Sequence, residues 1–418
     1  MSQEIITGLD IGSYAVRVAT GQILPGNQDR IQIIGAIEVP SSGVRKGVVT
    51  DLEETISSIS KALEQAERLT GFPIERVWVG ISGSHILTQQ SKGVIGVARN
   101  DGEIREEDVS RALEAARTIA MPTNYEILHV IPKCFVVDGQ SGVKDPVGMH
   151  GIRLEVETLM IQGRSSHIKN LTKCVYRAGL HIEDLVFSIL ATAEAVATPK
   201  QKDLGVCVVN IGASTTSLVI FEEGDILHTS VLPMGSDHIT SDLAIGLRTS
   251  IDVAEQIKIQ ETSVNLDKIQ KKDEINLADF GAAEPEYVGR RFIGDIAHAR
   301  VQEIFEEIDK ELRKVERSGL LPAGILLTGA GSKLDGMIEV AKQTLRLPVT
   351  QGVAMGVTSL VERIQDPSMS TAIGLLVWGY QIQSMVGKTG HFSKLFSQMK
   401  RLDQMKGMFS SWFRSLKP

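Results

Sequence analysis

The sequence GLDIGS at residues 8–13 recurs two hundred residues later as VVNIGA at residues 208–213. Each copy follows one apolar run and precedes another, at residues 16–20 and 217–221. Two apolar runs joined by a short stretch with glycine predict a β-hairpin that opens a domain. Because the period is long, the repeat indicates two related domains rather than a solenoid of small units.

Length and composition agree with two domains. The chain has 418 residues, of which 42% are hydrophobic and 23% charged, and it contains no run of eighteen apolar residues. We therefore predict no transmembrane helix. The first residues lack the basic cluster and apolar run of a secretory signal, so we expect the protein in the cytosol. Cys134, Cys174 and Cys207 are few, widely spaced and set among apolar residues, which favours buried thiols.

The first half has the pattern of an α/β unit. Residues 31–39 form an apolar strand pattern, and TDLE at residues 50–53 has the spacing of a helix capping box. A helix with one apolar face is predicted at residues 52–69, followed by a strand at residues 77–81. This order is typical of a mostly parallel sheet covered by helices.

Two stretches interrupt the halves. Residues 83–163 predict an inserted subdomain with one helix among strands, and residues 262–291 predict a smaller one. The elements expected in and around them are helices at 106–120, 167–177, 295–315 and 334–345, and strands at 126–130, 154–162, 181–187 and 324–328.

The repeated turns have the residue types of a phosphate site. A turn of small residues lets backbone N–H groups converge on an anion, because no side chain blocks the approach. Ser13 or Thr215 can add a hydroxyl, and Asp10 can hold a water of a bound Mg²⁺. An ordinary tight hairpin explains one such turn equally well. Two copies in matching contexts favour the phosphate site.

A third loop extends the predicted site. The sequence LLTGAGS at residues 326–332 places glycines after a strand and before a helix, where nucleotides bind in open α/β sheets. Glu255 and Lys258 share a helix face and can contact adenine or ribose, although an exposed ion pair has the same spacing. No P-loop or kinase motif set is present. The predicted nucleotide-binding residues are Asp10, Gly12, Ser13, Tyr14, Asn210, Gly212, Ala213, Ser214, Thr215, Glu255, Lys258, Gly329, Ala330, Gly331 and Ser332.

The end of the chain differs in charge from the rest. Residues 385–418 carry a net charge of +6, whereas the whole chain carries a net charge of −7. The negative charge of the whole chain gives no reason to expect nucleic-acid binding. Apolar residues recur there at helical spacing among basic ones, which predicts a helix lying in an anionic membrane surface. A helix docked on the protein itself or on a partner is the alternative. The candidate membrane contacts are Met408, Phe409, Trp412, Phe413, Arg414, Leu416 and Lys417.

The order of these loops resembles the superfamily of actin, sugar kinases and chaperone ATPases. Within it the chain resembles the FtsA family of bacterial cell-division proteins, from the first strand to the tail. The stretches similar to that family are GVRKGVVTDL at 43–52, ISGSH at 81–85, HVIP at 129–132, DPVGM at 145–149, TSDLA at 240–244 and AEQIK at 254–258.

The resemblance implies an actin-like fold, with two related α/β domains around a nucleotide cleft. The expected parts are 1–82 and 164–203 for the first half, 83–163 for the family's inserted subdomain, 204–386 for the second half with a subdomain at about 236–315, 387–406 for a basic linker, and 407–418 for the amphipathic helix. Asn210, Ala213 and Ser214 depart from the family, which usually has Asp and glycines there. The missing carboxylate should weaken cation binding and hydrolysis.

The resemblance also implies a function: ATP and Mg²⁺ bind, subunits form filaments, and the tail holds them on the cytoplasmic side of the cell membrane at the division site. The implied partners are the acidic, apolar tail of the tubulin-like protein FtsZ and later division proteins. Arg290 and Arg300 are candidate FtsZ contacts or ordinary surface arginines. Hydrolysis is expected to be weak at most. The alternatives are a small-molecule kinase of this fold, which needs an Asp base, and an actin-like pilus-assembly protein, which needs no basic terminal helix.

Overall fold

A computed structural model describes residues 5–23, 31–98, 101–118, 122–270, 272–359 and 362–387. These residues form two compact units. The larger consists of residues up to 87 together with 163–376, and the smaller consists of 88–162 with the end of the last helix. Within the described residues, no helix is both long enough and apolar enough to cross a membrane.

The first half of the chain has eleven strands and five helices in the described residues. The strands are β1 (Ile5–Ile11), β2 (Ala15–Ile23), β3 (Ile31–Pro40), β4 (Val44–Arg45), β5 (Val48–Val49), β6 (Arg76–Ile81), β7 (Ile86–Gly96), β8 (Tyr125–Val137), β9 (Gln140–Val143), β10 (Arg153–Arg164) and β11 (His181–Phe187). The helices are α1 (Leu52–Thr70), α2 (Glu106–Arg117), α3 (Ser165–Arg177), α4 (Ser188–Val196) and α5 (Pro199–Leu204).

The second half continues with eight strands and five helices in the part that the structure describes. The strands are β12 (Val206–Ile211), β13 (Thr216–Glu222), β14 (Asp225–Leu232), β15 (Glu274–Asn276), β16 (Tyr287–Gly289), β17 (Ile325–Thr328), β18 (Val349–Gln351) and β19 (Thr358–Ser359). The helices are α6 (Ser236–Gly246), α7 (Ile251–Gln260), α8 (Arg290–Lys314), α9 (Met337–Leu345) and α10 (Ser370–Gly387).

The two main sheets of the larger unit repeat one topology. One sheet has the order β11-β6-β1-β2-β3-β19, and the other has β18-β17-β12-β13-β14. In each sheet the hairpin of the repeated turn pairs antiparallel, while its first strand pairs parallel with the next crossover strand. The duplication that the repeated turn predicts is therefore confirmed, and the fold class is actin-like α/β.

Apolar strands explain why the turns are rigidly placed. Leu9 on β1 and Val209 on β12 are completely buried, because helices cover both faces of each sheet. The last helix packs closely on β1: a β-carbon added at Gly8 would lie 2.3 Å from the carbonyl oxygen of Ala372. The strand ends that carry the turns are thus fixed between packed layers.

Several predicted element ends differ from the structure by a few residues, and three of these differences have a clear physical reason. The N-cap of α1 is Asp51, whose carboxylate accepts the amide of Glu54 at 2.9 Å, whereas Thr50 donates its hydroxyl to Gly43. Helix α8 begins at Arg290 rather than at 295, because residues 290–294 continue its buried face. Helix α9 begins at Met337 rather than at 334, after a short 3₁₀ turn at residues 330–333.

The smaller unit is the predicted inserted subdomain, with one described helix among strands. Its sheet has the order β7-β10-β8-β9. Helix α2 contributes Val109 and Ala112 to a core with Phe135 and Leu154 from the sheet. In the same unit, the ring of Trp378 on α10 meets His129 edge-on at 5.8 Å.

Of the three cysteines, Cys174 and Cys207 are buried free thiols as predicted, and Cys134 is half-buried. Burial raises the pKa of the Cys174 thiol to about 11, which keeps it protonated at neutral pH.

Candidate functional site

The two repeated turns have the same backbone geometry. The amide of Gly12 donates to the carbonyl of Ala15 at 3.0 Å, and the amide of Gly212 donates to Thr215 at 2.9 Å. Both turns close a hairpin in the same register, with Ile11 opposite Val16 in one and residue 211 opposite 216 in the other. The repeat in the sequence is therefore a repeat in structure down to individual hydrogen bonds.

Both turns border one cavity of about 600 Å³ in the larger unit. This volume lies in the usual range for small-molecule and cofactor sites. Fourteen of the fifteen predicted nucleotide-binding residues line it: Asp10, Gly12, Ser13, Tyr14, Asn210, Gly212, Ala213, Ser214, Thr215, Glu255, Lys258, Gly329, Ala330 and Gly331. Residues from four separate stretches of sequence, at 10–14, 210–215, 255–258 and 329–331, thus meet at one place.

The first turn is held by the loop that follows β4. The hydroxyl oxygen of Ser13 accepts the backbone amide of Gly47 at 3.1 Å. Gly47 adopts a positive φ of 73°, and an added β-carbon there would lie 2.4 Å from the carbonyl oxygen of Ser82. A hydroxyl that accepts one bond can still donate its proton, so Ser13 can donate to an anion in the cavity.

The second turn rests on the start of α6. The carbonyl oxygens of Gly212 and Ala213 accept the amides of Ser236 and Asp237, at 3.0 and 2.8 Å. Ser214 donates its hydroxyl to the carboxylate of Asp237 at 2.7 Å. These bonds bring the N-terminus of α6 to the turn, and such a terminus favours negative charge.

A row of three charged side chains, on β1, β2 and β3, lies along the cavity. Only one of them, Asp10, is predicted from the sequence. Asp10 on β1 lies directly opposite Arg17 on β2, and Arg17 lies opposite Glu38 on β3. Opposite residues on antiparallel strands point to the same face. Arg17 and Glu38 both line the cavity and form an ion pair of 2.7 Å. The sequence signal for these two residues was the alternation of side chains along each strand. That alternation places residue 17 on the same face of the sheet as residue 10.

The electrostatics of Asp10 follow from this row. Burial raises the pKa of the Asp10 carboxyl above its usual value, and the positive charge of Arg17 opposes that rise. The carboxylate is thus held in a desolvated position beside a guanidinium. Within the described residues, no group of three or more His, Cys, Asp or Glu side chains could hold a metal ion.

Glu255 and Lys258 form a partly buried ion pair on α7, with side chains 26% and 9% exposed, rather than a fully exposed pair. The Lys258 amine contacts the Glu255 carboxylate at 2.6 Å and the Thr240 hydroxyl at 2.9 Å. Lys258 is only 7% exposed, and both side chains border the cavity. Holding a nearly buried ammonium at a cavity wall suits binding of hydroxyl or anionic oxygens of a ligand.

The third loop reaches the cavity through its glycines, but Ser332 does not. Gly329 has a positive φ of 87°, and a β-carbon there would lie 2.3 Å from the Oδ1 of Asn210. Ser332 is 3% exposed, donates to the carbonyl of Gly329 at 2.7 Å and accepts the amide of Gln351 at the same distance. Ser332 is therefore not among the residues that line the cavity, and its two hydrogen bonds stabilise the loop.

The two candidate partner residues occupy different places. Arg290 lies in the cavity wall, where it forms a 3.1 Å ion pair with Glu261. Arg300, on α8, pairs with Asp242 and Glu303. The candidate membrane residues from Met408 to Lys417 lie outside the described residues.

Comparison with known proteins adds the family. Residues 207–374 match the family model of cell division protein FtsA, and residues 83–162 match the model of the SHS2 domain inserted in FtsA. The cell division protein FtsA of Pseudomonas aeruginosa is 37% identical over 383 residues, which cover 92% of this chain and 91% of that protein.

Solved structures agree on the fold. The PilM–PilN type IV pilus biogenesis complex is similar with a TM-score of 0.66 at 18% identity, over 90% of this chain and 98% of the matched chain. MreB5 of Spiroplasma citri bound to ADP is similar with a TM-score of 0.54 at 12% identity, over 93% and 99%. The two matching family models, together with a relative at more than a third identity over nearly the whole chain, show that this chain belongs to the FtsA family of cell-division proteins.

Proposed function

We propose that this FtsA-family chain binds ATP in the cavity between the two repeated turns. The observation that carries the proposal is the pair of matching hairpins at Gly12 and Gly212, which face one cavity together with the glycines of the third loop. Turns of small residues, the N-terminus of α6 and the amine of Lys258 all favour a polyanion. The similar MreB5 structure contains ADP, which supports the same class of ligand.

Within this site the turns hold the phosphates, while Glu255 and Lys258 contact the ribose or the base. A Mg²⁺ ion that accompanies ATP would be held through water by Asp10, the only carboxylate among the residues that we predicted for the turns. Asn210 supplies no charge. We therefore propose tight nucleotide binding with slow turnover, so that ATP acts as a switch for assembly.

Nucleotide binding controls the assembly of a filament. This filament tethers FtsZ to the cytoplasmic membrane at the division site. Family membership and the actin-like fold support self-association and partners in cell division. The basic, apolar tail supports membrane attachment, since each basic group near anionic headgroups contributes about 1 kcal/mol. The FtsZ tail and the candidate contacts Arg290 and Arg300, whose side chains are 36% and 23% exposed, are part of this proposal.

Isothermal titration of the full chain with ATP and with adenosine tests the site. Gly212→Asp places a carboxylate at the second turn, where an added β-carbon would lie 3.0 Å from the Thr215 carbonyl oxygen. We expect at least a tenfold loss of ATP affinity, about 1.4 kcal/mol, from repulsion of the phosphates.

Gly212→Asn is the matched control because it has the same shape without the charge. It should retain most of the ATP affinity, and adenosine should bind both variants alike. Equal ATP affinity for Gly212→Asp and the unchanged chain would refute the assignment of the turns.

A further inference from the structure

The row Asp10–Arg17–Glu38 contains a cation that the phosphate turns alone do not explain. Arg17 is buried, with its side chain 9% exposed, yet it borders the cavity. A buried guanidinium needs partners, because removing a charge from water is unfavourable unless the charge is paired. Glu38 is one such partner, at 2.7 Å from the Nε of Arg17.

The guanidinium extends beyond its ion pair toward the first turn. Its Nη1 lies 3.8 Å from the position that a β-carbon would take at Gly12. A guanidinium has five N–H donors in a rigid fork, and a single carboxylate does not use them all. The cross-strand register fixes Arg17 beside Gly12 as firmly as it fixes Asp10.

Other described cations in the cavity wall lie elsewhere. Lys258 is held by Glu255 on α7, Lys333 pairs with Asp366 at 2.8 Å, and Arg290 pairs with Glu261. Of the cations named here, Arg17 is the one that lies on β2, one of the two strands that the first turn connects. It is therefore the cation best placed to meet the anion that this turn would bind.

We propose that Arg17 is a phosphate-binding residue, whose Nη groups donate to the phosphate oxygens of the nucleotide while Nε stays paired with Glu38. This inference rests on the proposed ATP site and adds a charged contact to its backbone contacts. Arginine suits the task because its planar fork matches phosphate oxygens and it stays charged when buried. Glu38 is then a positioning residue that orients the fork.

The test is isothermal titration of the full chain and its variants with ATP, ADP and adenosine. Arg17→Gln should lose roughly tenfold to a hundredfold in ATP and ADP affinity, the range of hydrogen bonds to charged groups, and should bind adenosine as before. Arg17→Lys should recover part of the loss. Arg177→Gln, which removes a surface arginine paired with Glu53 on α1, should change nothing.

Glu38→Gln separates a binding role from a structural one. If Arg17 merely neutralises Glu38, then removing the Glu38 charge in the Arg17→Gln background should restore ATP affinity. If Arg17 binds phosphate, the double variant should stay as weak as Arg17→Gln while Glu38→Gln alone keeps most of the affinity. The double variant also removes the unpaired carboxylate that could unfold Arg17→Gln.

The inference is overturned if Arg17→Gln binds ATP within twofold of the unchanged chain, if adenosine affinity falls as much as ATP affinity, or if the double variant recovers. If the unchanged chain binds no nucleotide at all, the proposed function fails, and this inference fails with it. The two failures are therefore distinguishable in one set of titrations.

Discussion

The side-chain amide of Asn210 donates a hydrogen bond of 2.9 Å to the hydroxyl of Thr371. Thr371 in turn lies 2.9 Å from the hydroxyl of Thr192, which donates to the carbonyl of Ser188 at 2.8 Å. Each group in this series donates its hydrogen bond to the next, from Asn210 on the second turn through Thr371 on α10 to Thr192 on α4. The amide of residue 210 is therefore matched by a hydroxyl that accepts its hydrogen bond.

Asn210→Asp should change both the bond and the metal chemistry. The new carboxylate cannot donate to Thr371, so the hydroxyl protons must reverse, but it adds a negative charge beside Asp10 and the predicted Mg²⁺. We expect steady-state phosphate release to rise and to depend more steeply on Mg²⁺ concentration. Phosphate release by Asn210→Asp equal to that of the unchanged chain would mean that the departure has no effect on turnover.

The repeated turns were predictable because their chemistry is local. Small residues after an apolar strand specify a hairpin turn wherever the strand is placed, so GLDIGS and VVNIGA located the cavity. Glu255 and Lys258 were found by helical spacing alone. Arg17 and Glu38 were missed because their role depends on the register of three strands, which pairs residues 10, 17 and 38.

For Ser332, the loop that carries it is predicted from the sequence but the direction of its side chain is not. The glycine-rich loop was correctly placed after β17, but its side-chain directions depend on a 3₁₀ turn that turns Ser332 inward. The cap of α1 was misplaced by one residue because Thr50 and Asp51 both suit an N-cap, and only the position of the Gly43 carbonyl decides between them. Such choices are made by tertiary contacts.

Gly8→Ala tests the packing of α10 on the first sheet. The added methyl would lie 2.3 Å from the Ala372 carbonyl oxygen and 2.9 Å from the β-carbon of Leu375. Overpacking of this kind costs about 1–3 kcal/mol of unfolding free energy. Urea denaturation followed by tryptophan fluorescence should show the lower midpoint.

Gly96→Ala is the control for this prediction, because no heavy atom of the described residues lies within 4 Å of its added β-carbon. Its unfolding free energy should change by less than about 0.5 kcal/mol. If both variants unfold at the same urea concentration, the close approach of α10 to β1 is wrong.

His85 should make the stability fall in mild acid. Its ring is 6% exposed and lies 4.9 Å from the ring of His167, tilted by 59°, and within the described residues neither ring nitrogen has a hydrogen-bond partner. Burial, followed by the charges of His167 and Arg164, lowers the pKa of His85 to about 4.

The sign of the effect follows from the two pKa values. Below pH 6.5 the unfolded chain binds a proton at His85, whereas the folded chain does not bind it until the pH falls to about 4. The free energy of unfolding therefore decreases between about pH 6.5 and 4, by up to about 1.4 kcal/mol per pH unit. His85→Leu should flatten this slope of the unfolding free energy by up to one proton. His129, whose pKa burial also lowers to about 4, should account for part of the remaining slope. An unchanged slope in His85→Leu would contradict burial of the neutral ring.

Membrane attachment should reside in the residues after α10. Full-length protein should co-sediment with vesicles that contain anionic lipid, and a chain ending at Gly387 should stay in the supernatant. Binding should weaken at high salt, because the tail carries a net positive charge. Equal sedimentation of the two chains would show that the tail is not the anchor.

Electron microscopy of the protein on an anionic lipid monolayer is the most direct test of an ATP-switched membrane tether. With ATP, the full-length chain should form filaments attached to the lipid, whereas Gly212→Asp with ATP and the chain ending at Gly387 should leave the monolayer bare. Filaments on the lipid that are equally abundant for Gly212→Asp, or a bare monolayer for the full-length chain with ATP, would contradict an ATP-switched membrane tether.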